Sequence, residues 1–330
     1  MRRILLLRFS SLGDLVLLSV LLEELRRQEP EARIWLVTKP EYAPLYRRDP
    51  RVHELITLPP GRGGLARLRW RLQKIDFDLV LDAHGSLRSR LLSFGLSHAP
   101  LRRIAKDSFD RLLFLRARVA LPRLARTQVD RYLDLVDAEG RPVRPCIVLD
   151  EGDETRADEV CPRDRGPILG LAPGARHATK QWPLDRYAEV TRRFLASHEG
   201  EVVLVGSPSE RELCERLASD FPSRVRVAAG RVDLKATAAL LRRARLFVGN
   251  DSGLMHLAEA VGTPVVGIFG PTSRELGYFP LDPRSRVLEN TLPCRPCSRN
   301  GARPCHLSET LCITLTTVER VHREIEEAWT

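Results

Sequence analysis

Two short polar stretches interrupt apolar runs in a way that suggests chemistry. The first, FSSLGD from Phe9 to Asp14, sets two serines, a glycine and an acid between the run Ile4–Leu7 and a long amphipathic stretch. A buried strand, a tight polar turn and a helix account for that order. An acid in the first helical turn feels the positive end of the helix dipole, which favours its carboxylate form. Ser10 and Ser11 can cap the helix, and Gly13 leaves room for a ligand to approach. The second stretch, GNDSGLMH, follows another apolar run and places Asp251, Ser252 and Gly253 at a helix start, with His256 one turn further on. That position caps a helix and can also cradle an anion. An ordinary N-cap with a packed histidine accounts for it as well.

The elements that must hold these turns are legible as a beat along the chain. In the first half ILLLRF, RIWLV and DLVLDA read as buried parallel strands, with helices over 15–28 and 64–75. In the second half ILGLAP, VVLVGS, RVRVAAG, RLFVGND and PVVGIFG read as strands, each followed by a polar turn. Helices are expected over Leu184–Leu195, Ser209–Ala218, Leu234–Arg243 and Leu254–Ala260. Such alternation predicts an α/β fold of two Rossmann-like, doubly wound domains facing a cleft. The segment 141–166, rich in Pro, Gly and charge, is expected to hold the linker near its end, giving domains 1–160 and 161–330.

In such sheets ligands sit where the carboxyl ends of the strands meet helix N-termini. The second-half loops there read PGARHATKQWP, GSPSE, AAGR, GNDSG and FGPTS. Any one of them is explained by turn chemistry alone, but five at one sheet edge favour a nucleotide-type ligand. Neither G-x-G-x-x-G nor G-x-x-x-x-G-K-[ST] occurs, which speaks against a conventional NAD or P-loop site.

The totals bound the rest. The chain has 330 residues, 43% hydrophobic and 29% charged, and a net charge of +10, so anionic partners are expected. Only five of its 53 basic residues are lysines, Lys180 among them. No run reaches the roughly 18 apolar residues of a spanning helix. Arg8 and Asp14 break the only signal-like segment, so a secretory leader is not expected. RRM, KH and zinc-finger patterns are missing and aromatics are sparse at 6%, so nucleic acid is not expected as a partner.

Three segments in this order and spacing carry a resemblance: S-x-G-D (Ser11, Gly13, Asp14), PGA…K-x-W-P (Pro173, Gly174, Ala175, Lys180, Trp182, Pro183) and D-S-G-x-x-H ending in His256. With the continuation AEAVGTPVVGIFGPT, the chain resembles glycosyltransferase family 9, the ADP-heptose:lipopolysaccharide heptosyltransferases. The resemblance implies the GT-B fold, an acceptor-binding N-terminal domain and a nucleotide-sugar-binding C-terminal domain. It implies inverting, metal-independent transfer of heptose from ADP-L-glycero-D-manno-heptose to the lipopolysaccharide inner core. By the same resemblance Asp14 is the general base, and Lys180 with Thr179 meets the donor diphosphate. Glu210 bonds the ribose, while Asp251, Ser252, Gly253 and His256 line the donor side. A nucleotide-sugar epimerase of the same fold and a basic RNA-binding protein are the competing readings.

The acceptor so implied is acidic and sits at a membrane surface, so a cytoplasmic protein peripheral to the inner face of the inner membrane is expected. Ser10, Ser11 and Gly13 would flank the acceptor, and Arg62, Arg67 and Arg71 could meet its carboxylates or phosphates bidentately. Leu65, Leu68 and Leu72 form one stripe on that helix, fitting a membrane surface or the domain core equally. Seven cysteines without a disulfide-type context suit a reducing compartment. Cys294, Cys297, Cys305 and Cys312 contain one zinc-like C-x-x-C, so a structural zinc, an iron–sulfur cluster and plain thiols all fit. No cofactor is expected in the reaction itself, and the cluster is expected to lie away from the chemistry.

Overall fold

The computed structural model describes every residue except Arg62, Ser97, His98, Glu139, Asp164, Arg165 and Thr330. Two compact units emerge, one made of residues 1–108 and 126–148, the other of residues 109–125 and 149–330.

The first unit opens with β1 (Arg3–Leu7), α1 (Leu12–Gln28), β2 (Arg33–Thr38) and β3 (Glu54–Thr57). There follow α2 (Gly64–Leu72), β4 (Leu79–Asp82), α3 (Leu87–Ser93) and β5 (Leu101–Arg103). The chain then enters α4 (Ser108–Ala117), almost all of which belongs to the second unit, and returns for α5 (Gln128–Leu133). The five strands are parallel in the order β3-β2-β1-β4-β5. β1 is central because its ILLL run is buried on both faces, as a covered parallel strand requires. The order reverses between β1 and β4, so the loops after these two strands flank the switch point.

The second unit runs α6 (Glu151–Asp158), β6 (Ile168–Ala172), α7 (Leu184–Ser197), β7 (Glu201–Leu204), α8 (Arg211–Ala218), β8 (Val225–Val227) and α9 (Leu234–Arg243). It continues through β9 (Ala244–Asn250), α10 (Gly253–Ala260), β10 (Val265–Ile268), β11 (Arg286–Leu288), α11 (Leu311–Thr314) and α12 (Val318–Trp329). Its parallel sheet has the order β11-β10-β9-β6-β7-β8, with the switch point between β6 and β9. Trp182, Tyr187, Phe194, Val248 and Ile268 lie in its core, closed on one side by Val321, Ile325 and Trp329 of α12.

The strands anticipated from apolar runs are all present. The short edge strands β3, β5 and β11 are additional; each has only three or four residues and carries charge, so it gives no apolar run. Within segment 141–166 the structure forms α6, capped by the Asp150 side chain accepting from Asp153 N–H at 3.0 Å. The α2 stripe is settled as core: Leu68 and Leu72 are buried against Leu5, Trp35 and Leu92, and Leu65 packs on the same cluster.

Candidate active site

In the first unit, four elements bring polar side chains to the switch point. Asp14 is the third residue of α1, and Ser11 donates both its backbone N–H (3.0 Å) and its hydroxyl (2.7 Å) to Asp14 Oδ2. The same oxygen takes an ion pair from Arg8 Nη2 at 2.6 Å. Arg8 follows β1, is itself buried, and donates through Nη1 to Ala83 O at 2.6 Å beyond the end of β4. From α5, the Tyr132 hydroxyl donates to Asp14 O at 3.1 Å. The Asp14 carboxylate is thus held by Ser11 and Arg8 and its backbone carbonyl by Tyr132, rather than left as a solvated cap. Ser10 and Ser11 are half-buried beside it and Gly13 is buried.

His84 sits next to this group. Asp82 Oδ1 accepts the N–H groups of His84 (3.2 Å) and Gly85 (2.8 Å), shaping the turn after β4. The His84 ring lies 4.9 Å from that of Phe9. Its Nδ1 is buried with no hydrogen-bond partner among the described residues. Burial first, then the positive charges of Arg8 and Lys106, holds the imidazole pKa down at about 4, so it is neutral at pH 7. Gly85 has φ +59°, and a Cβ there would come within 3.0 Å of Lys106 Cε, so the lysine stem lies over this turn. Arg8, His84 and Lys106 were not singled out from the sequence, because a lone histidine in DAHGS and a lone arginine after a strand have no distinguishing spacing. Arg67 and Arg71 do not join this group: Arg67 donates to Pro60 O, and Arg71 pairs with Glu54 of β3. Arg62 lies outside the described residues.

In the second unit the loops after β6 and β9 meet at its own switch point. Lys180 Nζ lies 2.6 Å from Asp251 Oδ2, both side chains being nearly buried, and the Thr272 hydroxyl donates to the same oxygen at 2.6 Å. Asn250, the last residue of β9, locks the PGA loop in place. Its Nδ2 donates to Pro173 O (3.1 Å) and Gly174 O (3.0 Å), and its Oδ1 accepts from Trp182 N at 3.0 Å. The Ser252 hydroxyl, at the N-cap of α10, and the Ser273 hydroxyl are buried without a hydrogen-bond partner among the described residues. Unmatched buried hydroxyls beside a helix N-terminus are what an anionic ligand would complete. His256 is buried on α10, its ring 6.3 Å from Tyr278. Glu210 accepts the N–H and hydroxyl of Ser207, both at 2.7 Å, and lies against Gly174, where a Cβ would come within 2.2 Å of its Oε1. The structure thus groups Lys180 with Asp251, and Glu210 with the PGA loop. Asn250, Thr272 and Ser273 are additions that the motif reading passed over.

The cysteine segment does not lie away from these residues, contrary to the expectation. Thr179 Oγ1 donates to Gly301 O at 2.5 Å, and Cys297 N donates to Pro271 O at 3.2 Å, next to Thr272. Gly301, at φ +85°, packs against the Lys180 stem so closely that a Cβ would meet Lys180 Cε at 2.8 Å. The segment folds back over the loop carrying Lys180, a contact no spacing argument reveals. All seven cysteines are free thiols. Burial first, then the nearby Cys297, pushes the Cys312 thiol up to about 11, with Cys305 and Cys294 adding to it. Among the described residues no three His, Cys, Asp or Glu side chains group as a metal ion would need.

Two doubly wound parallel sheets, each with polar and charged side chains gathered at its switch point, define a Rossmann-like α/β protein whose ligand loops lie at the strand carboxyl ends. Residues 65–306 match the model of glycosyltransferase family 9 (heptosyltransferase), and the chain belongs to that family. It is 29% identical over 308 residues to lipopolysaccharide heptosyltransferase 2 of Salmonella typhimurium, covering 87% of each chain. A family 9 glycosyl transferase from Veillonella parvula superposes with a TM-score of 0.80 at 23% identity, over 99% of this chain and 97% of that one. The E. coli ADP-heptose lps heptosyltransferase II superposes with a TM-score of 0.75 at 23% identity, over 99% and 98%. The chain is a glycosyltransferase of this fold, and membership favours that reading over an epimerase or an RNA-binding protein.

Proposed function

We infer that this chain is an inverting heptosyltransferase, moving heptose from ADP-L-glycero-D-manno-heptose to the inner core of lipopolysaccharide. The observation that carries the inference, beyond family membership, is the Lys180–Asp251–Thr272 group beside the unmatched Ser252 and Ser273 hydroxyls. A cation held at a switch point beside free donors suits the diphosphate of a nucleotide sugar. Thr179, in the loop that carries Lys180, and Gly253 and His256, on α10, are assigned to the same donor side, and Glu210, carried by the GSPSE turn, is assigned to the ribose.

In the proposed reaction Asp14 accepts the proton of the attacking acceptor hydroxyl. Because a carboxylate is a weak base toward an alcohol, that transfer comes late, as the new C1–O bond forms. The bond from C1 to the diphosphate breaks on the opposite face, its electron pair leaving with ADP, and the anomeric configuration inverts. Lys180 and the α10 N-terminus stabilise the charge that grows on the leaving diphosphate. Arg8 and Ser11 orient the carboxylate, with Ser10 and Gly13 beside it on the acceptor side; Arg67 and Arg71 remain candidates for acceptor anions. The matched span 65–306 does not include Asp14, so its role rests on the S-x-G-D resemblance and on the geometry of its turn.

No step of this scheme uses a cofactor. If Cys294, Cys297, Cys305 and Cys312 take up zinc or an iron–sulfur cluster, its role is structural, and elemental analysis of anaerobically purified protein decides it. The chain acts peripherally at the cytoplasmic face of the inner membrane; among the described residues no helix is long and apolar enough to cross a membrane. Release of the nucleoside diphosphate, ADP from ADP-sugars and UDP from UDP-sugars, measured with and without core acceptor, tests the function. Release with every donor except ADP-heptose would overturn it.

A further inference from the structure

The apolar stripe of α2 faces the core, yet the same region exposes a different apolar ridge. On α3, Leu87 and Leu91 are 73% and 52% exposed, and Phe94, which follows the helix, is 76% exposed. Their spacing of i, i+4 and i+7 puts all three on one helical stripe. The opposite side of α3 is anchored by buried Leu92 and Ser89, so the exposed stripe is not a frayed end. On α2, Trp70 is 64% exposed, with Lys74 Nζ 3.2 Å from its ring centroid. Arg69 ties the two helices together through Nη1 to Leu91 O at 2.7 Å.

The charge on the two helices themselves has one sign. α2 and α3 carry Arg67, Arg69, Arg71, Arg88 and Arg90 and no acidic residue. Packing accounts for Arg69, and Arg71 pairs with Glu54, while Arg88 and Arg90 stand exposed on either side of the stripe. Leucines and aromatic rings rimmed by guanidinium groups match the boundary of an anionic bilayer. Aromatic rings settle at headgroup depth, and arginines bury their stems while reaching lipid phosphates bidentately.

We propose that the α2–α3 face of the first unit docks on anionic phospholipid, with Leu87, Leu91 and Phe94 entering the headgroup–acyl boundary and Arg88 and Arg90 on lipid phosphates. The occupant follows from charge complementarity: Arg88 and Arg90, exposed on two helices that carry no acidic residue of their own, favour a polyanionic surface, and the ridge requires that surface to have an apolar layer beneath. This deepens the reading of a membrane-borne acceptor and rests on it, but the vesicle-binding measurement needs neither donor nor acceptor.

Co-sedimentation with vesicles containing phosphatidylglycerol, and with pure phosphatidylcholine vesicles, reads the docking directly. The wild-type chain is expected to bind the anionic vesicles and to lose affinity as salt rises. A Leu91→Ser/Phe94→Ser variant is expected to bind on the order of ten-fold more weakly. An Arg88→Glu/Arg90→Glu variant should lose at least as much, since each basic residue near an anionic surface contributes roughly five-fold. Both variants should keep wild-type circular dichroism and wild-type turnover on a water-soluble acceptor fragment. No binding by the wild-type chain, or binding unchanged in both variants, overturns the proposal. So does concentration-dependent self-association abolished by Leu91→Ser/Phe94→Ser, which would assign the face to a second copy. Vesicle binding with no heptose transfer to any acceptor would leave this face standing and overturn the enzymatic reading alone.

Discussion

Lys180 Nζ lies 2.6 Å from Asp251 Oδ2, joining the loop after β6 to the loop after β9 across the switch point of the second sheet. The ammonium group is thus positioned by the protein before any anion meets it. A charge-assisted contact to a diphosphate contributes about 1.5–3 kcal/mol. Lys180→Ala should therefore weaken ADP binding roughly ten- to a hundred-fold and lower turnover as well, since charge grows on the leaving group. Calorimetry with ADP checks this; unchanged affinity would remove Lys180 from the donor site. Asp251→Asn should instead cost stability, about 3 kcal/mol, because it strips a nearly buried cation of its counter-charge.

Asp14→Asn should keep ADP affinity close to wild type and reduce turnover by about 10²–10⁴-fold, the usual contribution of a positioned base. Steady-state rates of ADP release, with folding confirmed by circular dichroism, decide it. Near wild-type turnover would show that the acid only starts a helix.

Arg8→Met should destabilise the first unit by about 3 kcal/mol, because Asp14 then remains buried without its guanidinium partner. Combining Arg8→Met with Asp14→Asn should recover part of that loss. A double-mutant cycle by urea unfolding reads the coupling; strictly additive values would show that the pair is not an energetic unit.

The His84 imidazole gives a pH signature with a definite sign. Its pKa is about 4 in the folded protein against 6.5 ordinarily, so the unfolded chain takes up a proton that the folded chain refuses. Its contribution is whole above pH 6.5 and is lost progressively as pH falls from 6.5 toward 4. His84→Gln should flatten the stability profile in that window and leave it parallel to wild type above pH 7. Urea midpoints at pH 7, 6 and 5 make the comparison, and parallel curves throughout would place the ring in solvent.

Gly301→Ala tests the contact between the cysteine segment and the loop that carries Lys180. The glycine has φ +85°, and an added methyl would push into the Lys180 stem. The expected result is a loss of about 1 kcal/mol in stability together with weaker ADP binding. Stability loss with ADP affinity intact would mean that the lysine swings aside without cost.

What the sequence made legible follows from how each contact is written in it. Buried parallel strands announce themselves as apolar runs, so β1, β2, β4 and the central strands of the second sheet could be read directly, as could Asp14 and Asp251 at helix starts. Partners supplied from distant segments could not. Tyr132 reaches Asp14, Arg8 bridges to Ala83, and Gly301 meets Lys180 through tertiary folding alone. The three-leucine stripe of α2 was ambiguous because burial against a sheet and burial in a lipid surface demand the same periodicity. Only the placement of Leu68 and Leu72 against Leu5 and Leu92 separates them.

The passage of the chain between its two units has a consequence for recombination. Residues 109–125 depart from the middle of the first unit's sequence and cluster with the second, where Arg118 donates to Cys294 O at 2.6 Å and also to Pro296 O. A chimaera joined at one crossover near residue 148 would pair this arm with a foreign cysteine segment. If the second unit binds the donor, as proposed, exchange of donor specificity between relatives by swapping C-terminal halves should therefore succeed only when residues 109–125 travel with them. On that assignment, the inheritable cassette for the sugar nucleotide is two pieces of gene rather than one.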